Sequence, residues 1–247
     1  MPDTPNYGFN RHPRFSANQL ADYLAAGNAN QRERIIRSAK FPKKVRVVAY
    51  RPAKRIICDF LAGNTGDLSY LDDQIRRLDT RRRREPEGWM RDEMKRCIEA
   101  VREFRRTYSK RRLGRYHFGI GPVDLGMKLD GMRINTRLDV SVNDTARDGT
   151  VYSGGCILFL ANTDAARRNI ESRRSSVAAL VHWCLEGGNI EPLPRLCLSF
   201  DVFGEAVARA PQAIDRLRNS IESSCAEAVA RWDRVQPPAD YDGPNWR

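Results

Sequence analysis

At 247 residues, 41 % hydrophobic and 30 % charged, the chain carries enough apolar side chain for a real core, which excludes wholesale disorder. Its 43 Lys and Arg stand against 31 Asp and Glu, a formal charge of +12, so the expected partner is a polyanion, DNA or RNA first. No apolar run reaches the roughly 18–20 residues that cross a bilayer, and residues 1–15 hold no signal-type apolar stretch, so a cytoplasmic protein without a membrane partner is expected.

In chain order, residues 1–15 read as a flexible tail and 16–80 as a small helical N-terminal unit. Ser16 with Gln19 three residues on forms a capping box, opening a short helix that stops at Gly27. A second helix starts near Asn30 and ends at Phe41-Pro42. Val45, Val47, Val48 and Tyr50 suggest a short strand, and Pro52 opens a helix with Ile56, Ile57 and Phe60 inward. Leu68, Leu71, Ile75 and Leu78 keep helical spacing. Residues 81–88, Arg81–Arg84 followed by Glu85-Pro86-Glu87-Gly88, read as a basic linker.

The span 89–235 reads as an α/β core. A long helix runs from Trp89 with Met94, Cys97, Ile98, Val101 and Phe104 on one face. From Tyr116 the period changes to two. Asp130-Gly131 between alternating runs predicts a hairpin, and Asp148-Gly149 a further turn. Gly155 to Ala161 is a continuous apolar run, as in a central buried strand. A helix from about Asp164 to Gly187-Gly188, a buried strand from Leu196 to Phe203 and a helix from Gln212 to Trp232 follow, and 236–247 reads as a tail.

The positive charge is clustered. Arg76, Arg77, Arg81, Arg82, Arg83 and Arg84, then Arg105, Arg106, Lys110, Arg111, Arg112 and Arg115, are the candidate phosphate-binding residues. Tyr108 and Tyr116 interleave with the second group, where rings either stack bases or simply begin a core strand. Arg32, Arg34, Arg37, Lys40, Lys43 and Lys44 in the N-terminal unit serve either as phosphate contacts of a helix-turn-helix or as part of a docking module. The six cysteines include no CxxC pair and most sit in apolar segments, so buried reduced thiols are expected. Gly119-Ile120-Gly121 is followed by Pro122 and a strand, which rules out a dinucleotide fingerprint, and no Walker A or GxSxG motif occurs.

The order helix, three strands, helix, strand, helix from Trp89 onward resembles the core of the PD-(D/E)XK nuclease superfamily. The resemblance implies an α/β (α+β) fold, a central mixed sheet flanked by helices, with the small helical N-terminal unit added. It implies a metal-binding acid at the end of the second strand, where Asp139 stands, and a helix glutamate, for which Glu99 and Glu103 are candidates. It also implies an acid, a spacer and a lysine on the third strand, and that strand here is Cys156-Ile157-Leu158-Phe159-Leu160. Lys128, Asp124 and Asp201 are the candidates for displaced counterparts. Without the third-strand acid and lysine, nothing on that strand polarises a scissile phosphate. The expectation is therefore a nucleic-acid-binding protein with an inactive nuclease-like core, without cofactor, acting with protein subunits in a nucleic-acid-handling or mobile-element-defence complex. The alternatives are a divergent nuclease that uses Mg²⁺ through Asp139, and a protein-interaction subunit with a basic face.

Overall fold

The computed structural model describes residues 5–44, 49–160, 162, 167, 169–187 and 191–246. The chain divides into two compact units: residues 1–47, 124–137 and 212–247 form the first, and 48–123 with 138–211 form the second. This replaces the linear division at 16–80, 81–88 and 89–235. A strand hairpin leaves the second unit at Asp124 and returns at Leu138, so neither unit is one stretch of sequence.

In the first unit, β1 (Arg14–Ser16) pairs in parallel with β4 (Met132–Leu138), which pairs with β3 (Val123–Leu129). Asp130 and Gly131 both have positive φ, 45° and 85°, the geometry of a two-residue type I′ turn. Helix α1 (Ala17–Leu24) carries the expected reciprocal Ser16–Gln19 capping box, and α2 (Ala29–Lys40) is capped by Asn28. The helix from Asp215 to Trp232, the last in the chain, completes the unit. Phe15, Leu20, Tyr23, Ile36, Ile134, Ile221 and Trp232 are almost wholly buried.

Both expected tails are anchored here. Phe15 is 1 % exposed in β1. Asp242 accepts hydrogen bonds from the Asn6 and Tyr7 amides at 2.8 and 3.0 Å, and Tyr7 Oη donates to Asp240 at 2.9 Å. Phe41 packs edge-on against Tyr241. The basic residues of the unit are also largely committed. Lys40 is 3 % exposed, and its ammonium donates to the carbonyls of Trp232 (2.8 Å) and Val235 (3.1 Å) at the end of the last helix. Burial pushes its pKa down. Arg32 pairs with Glu227 and Arg37 with Glu33. The strand expected at Val45, Val47 and Val48 lies outside the described residues. Tyr50 instead stands in the left-handed region ahead of a helix.

The second unit is built on the five-stranded sheet β2-β5-β6-β7-β8: β2 His117–Gly119, β5 Val140–Thr145, β6 Val151–Phe159, β7 Pro192–Asp201 and β8 Ala206–Arg209. β6 and β7 are parallel and the other neighbours antiparallel, so the sheet is mixed. On one face Val140, Val142, Cys156, Leu158, Leu198 and Phe200 pack on α3 (Arg51–Gly63), α4 (Ser69–Arg84) and α5 (Gly88–Lys110). The parallel crossover is α6 (Ile170–Glu186), which packs on β6 and β7, where Ser199 Oγ donates to the Arg174 carbonyl at 2.9 Å. The last helix, Asp215–Trp232, is α7. The fold is thus an α+β arrangement with a mixed sheet flanked by helices. The start expected for α6 near Asp164 lies outside the described residues. No helix among those described is long and apolar enough to cross a membrane.

Two expectations about the sheet change. Thr136 to Val142 reads as one alternating strand, yet the run breaks at Asp139: β4 belongs to one sheet and β5 to the other. Alternation continues across the break because both halves bury every second residue. The edge strand β8 is four residues long and its sequence, Ala-Val-Ala-Arg, does not alternate, so sequence periodicity misses it.

Candidate nucleic-acid interface

Arg81–Arg84 are not a linker. They form the last turn of α4, which runs to Arg84. Arginine is a good helix former, and cations in a last turn meet the negative end of the helix dipole. Leu71 and Leu78 anchor the inner face, fully and nearly fully buried. Asp79 holds Arg82 at 2.8 Å and Arg83 at 2.8 Å, the i+3 and i+4 partners. The helix stops because Glu85 precedes Pro86, and the residue before a proline favours extended backbone; Glu85 adopts ψ 119°.

These pairings sort the candidate cations. Arg76 is paired with Asp73, and Arg105 Nε lies 3.0 Å from Asp72. Arg106 contacts Glu103 and Glu205, Lys110 contacts Glu205, and Arg111 donates to the Glu205 carbonyl at 2.7 Å. The two cations hold the Glu205 carboxyl below its usual range, the Lys110 hydrogen bond contributing most. Among the described residues, Arg77, Arg81, Arg84 and Arg112 meet no carboxylate. Arg77, Arg81 and Arg84 are spaced i, i+4, i+7, which sets them in one stripe along a helix. With Arg76, Thr80 and two acids, Asp73 (paired with Arg76) and Glu85, they line an open groove of about 510 Å³ on α4. A second groove, about 460 Å³, lies between α4 and α5 and is lined by Arg76, Arg102, Arg105, Arg106, Ile75 and Asp72. Arg102 lies outside the two basic clusters evident in the sequence, and packing of α4 against α5 brings it to the groove.

Tyr108 is partly buried and packs against the core. Its ring packs edge-on against Phe60 at 4.9 Å, inside the α3–α5 core. Tyr116 is half-buried ahead of β2, with the Arg115 guanidinium over its ring at 4.9 Å.

Within the second unit the nuclease-type residues are each engaged separately or exposed. Asp139 is 7 % exposed, and both carboxylate oxygens are engaged. Oδ1 lies 2.7 Å from Lys54 Nζ, and Oδ2 accepts the Leu158 amide at 2.7 Å. Lys54, in the first turn of α3, is a partner that sequence spacing gave no reason to single out. Glu99 is exposed on α5, and Glu103 is taken by Arg106. Lys128 and Asp124 belong to the first unit, both exposed on β3, whereas Asp139 belongs to the second. Asp201 is fully buried, 3.3 Å from Arg174 and 3.4 Å from Arg167, and accepts the Gly204 amide. Among the described residues no group of three or more His, Cys, Asp or Glu side chains is placed to hold a metal ion.

Cys58 and Cys156 flank the Lys54–Asp139 pair. Burial, with the Asp139 charge second, pushes the Cys58 thiol up to about 12, and burial drives Cys156 well above the ordinary thiol range. Cys197 and Cys225 are likewise pushed up to about 12, and Cys97 to about 11. At pH 8 a thiol with a pKa near 12 is ionised to about one part in ten thousand, and the thiolate is the nucleophile. Native protein is therefore expected to leave Cys58 unlabelled by iodoacetamide at pH 8, with labelling appearing only in denaturant. Rapid stoichiometric alkylation of native Cys58, mapped by peptide mass, would contradict this environment.

Compared with known proteins, the chain matches no protein-family model and no curated sequence.

Proposed function

We propose that the chain binds nucleic acid, DNA or RNA, through the arginine face of α4 and α5, and that its nuclease-like core does not cut. The observation that carries this reading is the Arg77–Arg81–Arg84 stripe, whose charges form no ion pair among the described residues while their neighbours Arg76, Arg82 and Arg83 are paired. Guanidinium groups without an ion-pair partner on one helix face suit a row of phosphates, and guanidinium forks match phosphate oxygens bidentately. A binding protein of this kind serves within a nucleic-acid-handling or defence complex. For the core, Asp139 supports inactivity: a metal ion would have to compete with Lys54 at one oxygen or with the Leu158 amide at the other, and the neighbouring strand β6 carries no acid and no lysine.

The test is binding to labelled single- and double-stranded DNA and RNA across a salt series. Wild type should lose affinity steeply with salt and show little sequence preference. The Arg77→Gln/Arg81→Gln/Arg84→Gln variant should flatten the log–log slope by up to about 3 units on duplex DNA. Arg82→Gln/Arg83→Gln should change it less, because those charges are already met by Asp79. An unchanged slope in the triple variant would remove the interface. Incubation of the same substrates with Mg²⁺ or Mn²⁺ addresses the core: metal-dependent cleavage that disappears in Asp139→Asn would establish the divergent-nuclease alternative.

A further inference from the structure

A second basic site lies on the sheet of the same unit and shares no lining residue with the α4 groove. A cleft of about 280 Å³ is lined by Arg115, Tyr116, Asn143, Asp144, Arg195 and Arg209, with Leu196 buried among them. Its residues come from four segments: the entry to β2, then β5, β7 and β8. Arg115 Nη2 donates to Tyr116 Oη at 3.0 Å, and Arg209 Nε donates to the same oxygen at 3.1 Å. Two guanidinium groups from distant parts of the chain thus meet at one atom. That atom is a neutral phenol, which accepts hydrogen bonds but brings no opposite charge. Among the described residues, neither Arg115 nor Arg209 meets a carboxylate. Asp144, the one carboxylate lining the cleft among the described residues, is taken by Arg195 at 2.6 Å. Three arginines and one aspartate leave a surplus of two positive charges in a concave site, where the field is focused.

We infer that this cleft binds a phosphate monoester, the terminal phosphate of a nucleic-acid strand or of a mononucleotide. A monoester carries about −1.5 to −2 at neutral pH, which matches the surplus, and presents three oxygens to several donors at once. An internal phosphodiester carries a single charge and leaves two chain ends to accommodate, which an open groove such as that on α4 does better than a small cleft. The volume suits one terminal nucleotide rather than a longer segment. Arg115 and Arg209 supply the forks, already turned toward one point by Tyr116, and Arg195 is available by exchanging Asp144 for the phosphate. The strand-end form of the inference rests on the nucleic-acid reading above; the mononucleotide form stands without it.

The experiment compares oligonucleotides of one sequence carrying a 5′-phosphate, a 3′-phosphate or hydroxyl ends, together with AMP as competitor and, by calorimetry, AMP alone. Wild type should bind a phosphorylated end about tenfold more tightly than the hydroxyl form. Arg195→Gln/Arg209→Gln should erase that difference while leaving the hydroxyl oligonucleotide within about twofold. Arg209→Lys, which keeps the charge but loses the fork, should reduce it. The α4 triple variant should weaken phosphorylated and hydroxyl strands alike, so failure of the α4 interface and failure of this cleft give different patterns. End discrimination without AMP binding assigns the site to strand ends; AMP binding abolished in Arg195→Gln/Arg209→Gln assigns it to mononucleotides. Equal affinity for all ends together with no AMP binding by wild type would overturn the inference.

Discussion

Lys54→Met is expected to destabilise the protein by about 3 kcal/mol, because it strands a buried carboxylate. Asp139 is 7 % exposed, and Lys54 is its only charged partner among the described residues. Once the ammonium is gone, one oxygen keeps the Leu158 amide and the other faces the apolar and thiol groups around Cys58 and Cys156. The reverse substitution is asymmetric. Asp139→Asn retains an acceptor for the Leu158 amide, and Lys54, with a side chain 38 % exposed, can turn its ammonium to water; the cost should be about 1 kcal/mol. The double variant Lys54→Met/Asp139→Asn should then be more stable than Lys54→Met alone, since the stranded charge has been removed with its partner. Urea unfolding with an unchanged slope is the measurement. If Lys54→Met loses less than about 0.5 kcal/mol, or if the double variant is the least stable of the three, the pair is not the buried ionic link described here. The same result bears on function, since a carboxylate held this firmly is a poor metal ligand.

Gly154→Ala is expected to cost about 3 kcal/mol or more, comparable with the worst overpacking substitutions. Gly154 lies in the central strand β6, where the register against β7 shifts between Ser153 and Gly155. A Cβ at Gly154 would stand 2.5 Å from the carbonyl carbon of Leu196 and closer still to its oxygen. The obstacle is backbone, so no rotamer change relieves it; β6 and β7 would have to part. Parting them disturbs the strand that carries Arg195 and Leu196, and thus the cleft at Tyr116. Two neighbouring glycines calibrate the effect. At Gly155 the nearest atoms are the two methyls of Leu138, at 2.5 and 2.8 Å, which are side-chain tips in a packed site, and Gly155→Ala should cost about half as much. At Gly63, the last residue of α3, nothing lies within 4 Å, and Gly63→Ala should be neutral or slightly stabilising. Thermal or urea denaturation of the three variants gives the ranking directly. A Gly154→Ala protein as stable as Gly63→Ala would mean that the two strands do not approach as closely as the structure has them.

Much of the local architecture is determined by short-range sequence. The Ser16–Gln19 capping box, the Asp130-Gly131 turn, the amphipathic face of α5 and the apolar run of β6 each carry their cause within a few residues, and each is found where that cause places it. The charge is legible in the same way: arginines crowd α4 and α5 whatever the fold. What the sequence by itself does not decide is which of those arginines are spent. Arg105 on Asp72, and Arg106 and Lys110 on Glu205, are pairs between separate elements, and only packing brings them together. The fate of Asp139 is decided at the same level. Period-two alternation runs unbroken from Met132 to Val142, so nothing local marks the point where the chain leaves one sheet for the other. Tertiary structure puts the break at Asp139 and brings Lys54 to it from another helix. It also gathers Arg115 and Arg209 on Tyr116 Oη, a meeting of residues 93 positions apart in one case. Local propensity acts within a turn or two of chain, whereas a site is a coincidence of side chains in space, and that coincidence exists only once the sheet has formed.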